Sequence, residues 1–148
     1  MVRETPQRRA AFPHLAEITT RWMDNDVYGH VNNVVYYSFF DTVVNGYLVA
    51  QNVLNIGALD KPGSDVIGLV VETQCNYFKP VAFPDRVSAG LRVEQIGTSS
   101  VRYGIGLFRN DDDDAAAQGH FVHVYVERKS SKPVALPEKL RRVLEALK

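Results

Sequence analysis

Between Asn33 and Gln51 the chain reads NVVYYSFFDTVVNGYLVAQ, and no turn-forming residue interrupts it from Asn33 to Asn45. The β-branched and aromatic stretch VVYYSFF favours a strand by local propensity. The polar positions decide otherwise. Ser38, Asp41, Thr42 and Asn45 fall at i, i+3, i+4 and i+7, a single stripe along a helix. The run is also too long for an ordinary strand. The spacing therefore predicts a helix from Asn33 to Gln51. Its other faces carry Val34, Val35, Tyr36, Tyr37, Phe39, Phe40, Val43, Val44, Tyr47 and Leu48. A helix apolar over most of its circumference has to be enclosed, so the rest of the chain must wrap it.

The second half supplies the wrapper. DVIGLVVETQCNYFKP predicts a strand from Val66 to Phe78, stopped by Pro80. After an FPD turn, Val87, Ala89, Leu91 and Val93 alternate with Ser88, Gly90, Arg92 and Glu94. QIGTSS joins a hairpin, and Val101, Tyr103, Ile105 and Leu107 alternate in the same way. The acidic run NDDDDAAAQG forms a solvated hairpin tip, and Phe121–Glu127 forms the last strand. Upstream, LAEITTRW alternates as a strand with Ala16, Ile18, Thr20 and Trp22 on one side. Downstream, PEKLRRVLEAL places Leu140, Val143, Leu144 and Leu147 on one face of a short helix begun by Pro137. The expected class is α+β: an antiparallel meander of strands curled around one helix.

With 148 residues, one domain is expected, with a flexible arm over residues 1–13 and a single domain over 14–148. The 17 basic and 17 acidic side chains cancel, so no global field draws nucleic acid or an anionic membrane, and any anion site has to be local. Cys75 is the sole cysteine, which excludes an intrachain disulfide and a cysteine-rich metal site. The N-terminus lacks the apolar stretch of a secretory signal, and no segment is apolar enough to span a bilayer. A cytoplasmic location is the expectation.

Directly before the helix stands RWMDNDVYGHVNN, which gathers Asp24, Asn25, Asp26, His30, Asn32 and Asn33. Acidic residues here could merely complement the positive end of the helix dipole. They could equally aim a reactive group from the end of a buried helix. The segment DNDVYGHVNNVVYYSFFD resembles the opening motif of acyl-CoA thioesterases of the 4-hydroxybenzoyl-CoA thioesterase type, and FKPVAFPD and GHFVHVYVERKSSKPVALPEKLR extend the likeness over nearly the whole chain beyond the arm. The resemblance implies a hotdog fold, in which a five-stranded antiparallel sheet wraps a central helix, and hydrolysis of an acyl-CoA to a carboxylic acid and free CoA. It assigns Asp26 as the carboxylate that acts as nucleophile or general base. It also implies a homodimer or homotetramer with sites at subunit interfaces, and no metal or other cofactor beyond the CoA thioester substrate.

The residues make that chemistry sensible. A helix start leaves unpaired N–H groups and a partial positive charge, and those near Asn33 could hold an oxyanion. Gly29 would permit a tight turn, Asn32 or Asn33 could cap the helix, and His30 would orient substrate or carboxylate. Asp24 reads as structural. Tyr36, with Tyr37, Phe39 and Phe40, would line an acyl pocket or fill the core. Arg128, Lys129, Ser130 and Lys132 are the candidates for the CoA phosphates. Other chemistries fit poorly. There is no Gly-x-Ser-x-Gly elbow and no phosphate-loop or dinucleotide fingerprint. Cys75 sits mid-strand as a buried structural residue, and His120 and His123, three apart on a strand, point to opposite faces. A hotdog hydratase or dehydratase and a non-catalytic acyl or CoA-ester binding module remain as rival readings.

Overall fold

The computed structural model describes residues 3–55 and 65–148. Among them, one long helix lies on a five-stranded sheet. The elements are β1 (His14–Thr19), α1 (Asn33–Ala50), β2 (Val66–Tyr77), β3 (Arg86–Ile96), β4 (Ser100–Arg109), β5 (Ala117–Glu127) and α2 (Glu138–Glu145). All pairings are antiparallel, in the spatial order β1-β3-β4-β5-β2.

Helix α1 forms where the polar stripe places it. Ser38, Asp41 and Thr42 face solvent, and Tyr36, Phe39, Phe40, Val43, Val44 and Leu48 are buried. These side chains meet Val87, Ala89, Leu91 and Val93 of β3 and Val101, Tyr103, Ile105 and Leu107 of β4 in one core cluster. Phe40 lies edge-on to Phe121 of β5 at 5.4 Å. The short helix α2 closes the same core with Leu140 and Leu144, and Leu147 follows it.

Three expectations need correction. The strands are not a simple meander: β2 pairs with β5 at the far edge, and the 78–85 connection crosses back to β3. Pro80 and Pro84 in that connection lack the amides a continued ladder would need. The first strand stops at Thr19, and Trp22 is 79% exposed instead of facing inward. Arg21–Asp24 form a 3-10 turn closed by a hydrogen bond from the Arg21 amide to the Asp24 carboxylate, which turns the chain before Trp22 can join the sheet. The last strand begins at Ala117 rather than Phe121, because Ala115, Ala116 and Ala117 are fully buried and the Ala116 amide donates to the Leu107 carbonyl. Helix α1 packs on the sheet as expected, and among the described residues Val34 (68% exposed) and Val49 stay open along it.

Residues 3–12, expected as a flexible arm, lie across the outer face of the sheet. Phe12 is buried over Gly90 and Gly106, where any side chain would collide with its ring. The Gln7 amide donates to the Gln118 side chain, and Arg9 donates to the carbonyls of Asn110 and Asp112. The acidic hairpin tip is likewise engaged. Asp111 pairs with Arg86, Asp113 with Arg8, and Asp112 with both Lys79 and Arg109.

His120 and His123 do face opposite sides of the sheet. His120 bonds Glu72 and Arg102 on the outer face, and His123 packs against Tyr103 and Phe121 in the core. His123 is 4% exposed and its Nε2 has no partner among the described residues. Burial pulls its imidazole down to about 4. An unfolded histidine titrates near 6.5, so between these values the unfolded chain binds the proton and the native one does not. Stability contributed by the neutral ring is therefore complete above pH 6.5 and falls as pH drops toward 4, by up to about 3 kcal/mol. Thermal melts across this window should show the loss, and His123→Phe should flatten the curve.

Candidate active site

The 21–32 segment is built to hold the start of α1 in place. Asp24 is 2% exposed and accepts from the Arg21 amide at 2.8 Å and from its guanidinium at 3.0 Å. Its own carbonyl accepts from the Asn32 amide at 2.9 Å. Asp24 thus ties both ends of the loop together, the structural role its sequence position suggested. The Val31 amide donates to the Val81 carbonyl at 2.7 Å, and Asn25 Oδ1 accepts from the Phe83 amide at 3.0 Å. These two bonds fasten the loop to the connection between β2 and β3.

Between those anchors the chain doubles back. Asn25 and Val31 form an antiparallel bridge, the Asp26 amide donates to the His30 carbonyl at 2.9 Å, and the Gly29 amide to the Asp26 carbonyl at 3.1 Å. Gly29 adopts φ +78, a left-handed conformation that favours glycine. The expected tight turn is there. One Asp26 carboxylate oxygen, Oδ1, accepts from the Tyr28 amide at 2.8 Å, and the other has no protein partner among the described residues.

The helix start shows a specific pattern of used and unused donors. Asn32 is the cap: its side chain accepts from the Val34 amide at 3.0 Å, and its carbonyl from the Val35 amide at 2.9 Å. Asn32's own amide is taken by Asp24. The Asn33 amide alone, among these first-turn groups, finds no acceptor in the described residues. It stands at the positive end of an 18-residue helix.

Asp26, His30, Asn33 and Tyr36 come together on the wall of one open cleft of about 480 Å³, whose other lining includes Tyr77, Lys79 and Pro80. The His30 ring makes no hydrogen bond to a described residue. Gly29 shapes the turn from the opposite side of Asp26, beside a second hollow lined by Trp22 and Val27. Of the four aromatics between Tyr36 and Phe40, Phe39 and Phe40 fill the core and Tyr36 reaches the cleft. Arg128, Lys129, Ser130 and Lys132 lie elsewhere. They form the turn after β5, where the Glu127 amide donates to Lys132 and the Ser131 amide to Glu127. Tyr77 pairs with Ala117 at the cleft end of β5, whereas Arg128 follows Glu127 at the other end. The rise along the strand separates the two by roughly 30 Å.

Tyr77 and Lys79 belong to the cleft but gained no role from sequence. The Tyr77 hydroxyl donates to the Asn33 carbonyl at 3.2 Å, and Lys79 Nζ lies 3.1 Å from Asp112. That hydrogen bond from Lys79 holds the Asp112 carboxyl below its usual range. The available signal was FKP, where Pro80 ends the strand and turns it toward the helix. Cys75 is half-buried, and burial pushes its thiol up to about 11, so it is no thiolate near neutral pH. Among the described residues, no group of three or more His, Cys, Asp or Glu side chains is placed to hold a metal ion.

An antiparallel five-stranded sheet carrying one long helix and a short C-terminal helix defines a hotdog-fold protein. Residues 20–144 match the Thioesterase-like superfamily, and the chain belongs to it. The PA5185 protein from Pseudomonas aeruginosa strain PAO1 is 53% identical, with a TM-score of 0.90, covering 97% of this chain and 96% of that one. A thioesterase from Thermus thermophilus, solved with coenzyme A and zinc, is 29% identical with a TM-score of 0.73, covering 92% and 95%. A 1,4-dihydroxy-2-naphthoyl-CoA thioesterase from Synechocystis shares the fold at 17% identity and a TM-score of 0.80, covering 88% and 93%.

Proposed function

We propose that the protein hydrolyses an acyl-CoA thioester to a carboxylic acid and free CoA, in the manner of the 4-hydroxybenzoyl-CoA thioesterase type. The observation that carries this reading is the unclaimed amide of Asn33, a residue that lines the same cleft as Asp26. A thioester carbonyl placed between them meets a donor for its oxygen and a base or nucleophile for its carbon. With Asp26 as base, the carboxylate takes a proton from water as the hydroxide oxygen bonds to the carbonyl carbon. The carbonyl oxygen becomes an oxyanion held by the Asn33 amide. Its collapse breaks the C–S bond, and the sulfur leaves as the CoA thiolate. With Asp26 as nucleophile, its free oxygen forms a mixed anhydride that water then cleaves. His30 borders the approach, and Gly29 gives the turn its shape.

The CoA phosphates need cations, and the Arg128–Lys132 turn is too distant to serve the cleft of its own chain. A second copy removes the difficulty. Strand β2 is an edge, and Leu69, Val70 and Val71 on it are 42%, 48% and 59% exposed. Such an edge invites pairing. Two β2 strands paired antiparallel about a two-fold axis would set the Val66 end of one copy beside the Tyr77 end of the other. The 128–132 turn of the second copy would then stand near this cleft. The active species is accordingly a homodimer, or a homotetramer built from it.

Release of free thiol from a panel of aryl, short and long acyl-CoAs is the direct test; no turnover with any of them would leave a binding module, and hydration without thiol release a hydratase. Asp26→Asn should lower kcat by about 10²-fold or more in folded protein. A value within a few-fold of wild type would remove Asp26 from the mechanism. Val71→Lys should shift the mass in light scattering toward the 16.6 kDa of one chain and lower activity with it. Replacing Arg128, Lys129 and Lys132 together with alanine should raise KM for acyl-CoA while sparing a truncated thioester without the nucleotide. Equal effects on both substrates would place the phosphate site elsewhere.

A further inference from the structure

We propose that the Tyr36 hydroxyl is a second hydrogen-bond donor to the reacting carbonyl, beside the Asn33 amide, and therefore a catalytic residue of the site; this rests on the thioester reading above. Tyr36 occupies the first turn of α1, where long side chains point back toward the helix start. Its ring is 4% exposed and lies edge-on to Tyr77 at 4.9 Å and 81°, so its direction is fixed by packing. The Val81 backbone lies near the hydroxyl oxygen, and Tyr77, against which the ring packs, donates its hydroxyl to the Asn33 carbonyl at 3.2 Å. Val81 is also the residue whose carbonyl holds Val31, two positions before the helix. The hydroxyl is thereby brought to the helix start, the neighbourhood of the Asn33 amide.

The proton inventory then limits what this hydroxyl can do. A phenol has one proton to give and lone pairs to receive. Here the hydroxyl makes no hydrogen bond to a described residue, and it sits in a residue that lines the cleft. Unlike the sealed Tyr103 hydroxyl, this one is not closed off from solvent, and phenylalanine would fill the same space without the O–H. The cleft that Tyr36 lines with Asp26 and Asn33 is where an acceptor can come from. A thioester carbonyl accepts weakly, and the oxyanion formed from it accepts strongly, so the bond tightens as the reaction proceeds. Burial raises the phenol above its ordinary value, which keeps it protonated and able to donate at neutral pH.

Tyr36→Phe keeps the ring and removes only the donor. With benzoyl-CoA, kcat should fall about 10²-fold, the effect of losing one oxyanion donor, with KM changed less than about threefold. Tyr37→Phe, which removes the neighbouring hydroxyl outside the cleft, should stay within about twofold. In the Asp26→Asn background, the infrared carbonyl stretch of bound benzoyl-CoA should be red-shifted from its value in solution, and Tyr36→Phe should reverse part of that shift. A kcat within threefold of wild type, or an unchanged carbonyl stretch, would overturn the assignment. If wild type bound benzoyl-CoA without cleaving it, the hydrolase reading would fail while the carbonyl shift still tested Tyr36. Should Tyr36→Phe not fold, 2,3-difluorotyrosine at position 36 retains the oxygen and makes it a stronger donor. The red shift should then grow, and an unaltered shift would sink the proposal.

Discussion

Everything at the cleft depends on how helix α1 is seated. Phe39, Phe40, Val43, Val44 and Leu48 are buried against β3, β4 and β5, and helix period fixes the direction of every other side chain on it. Tyr36 must then point along the buried side toward the helix start, and Ser38, Asp41 and Thr42 must face away. Packing sets the axis, and the axis aims the dipole. A shift of one turn would move the first amide about 5 Å. The Asn32 and Val31 backbone bonds, to Asp24 and to Val81, prevent that shift from the other end.

Those bonds also explain why the polar segment precedes the most apolar one. Backbone donors at a helix start must be satisfied, and Asn32 and Asp24 satisfy all but one of those nearest the cleft. Leaving that one open is tolerable only where water or a ligand can reach it, as in the cleft. Asp26 follows a different logic. One of its oxygens closes its own turn, which holds the carboxylate still without neutralising it. Both carboxylate oxygens of Asp24 are taken by Arg21, so neither is left for a substrate. Two aspartates two residues apart therefore receive opposite work from their surroundings: one is buried and paired, the other is half-buried and free on one side.

Much of this was legible in sequence because it is local. The period of Ser38, Asp41, Thr42 and Asn45 gave the helix against the propensity of VVYYSFF, and Gly29 marked the turn. The alternation in β3 and β4 named their inward faces correctly. What sequence did not show was non-local. Nothing in VIGLVVETQCNY says that its neighbour is the last strand rather than the next one, since either pairing buries the same side chains. Phe12 reads as an ordinary apolar residue in a proline-broken arm until Gly90 and Gly106 are brought side by side to make a hollow for it. Tyr77 and Lys79 were similarly hidden, because their place at the cleft follows from the edge position of β2. Trp22 misled for the reverse reason: the alternation continued in the letters after Asp24 had already turned the chain.

The surfaces left unfinished by one chain point the same way as the chemistry. Val34 on α1 and Val66, Leu69, Val70 and Val71 on β2 are exposed large apolar groups, and among the described strands β2 lies at the edge of the sheet. The bulge between Val70 and Glu72 adds twist to that edge without covering it. An edge intended to stay single is normally guarded by charge or proline, and this strand carries one charged residue, Glu72, which is engaged with His120 on the outer face. A substrate with a reacting end and a distant polyphosphate end needs two recognition regions at once. This chain carries the candidate cleft at one end of β5 and a basic turn at the other, so under the proposed reading a single copy would not apply both to one CoA molecule. Under the proposed reading, antiparallel pairing through β2 would hide the apolar edge and bring the two regions together.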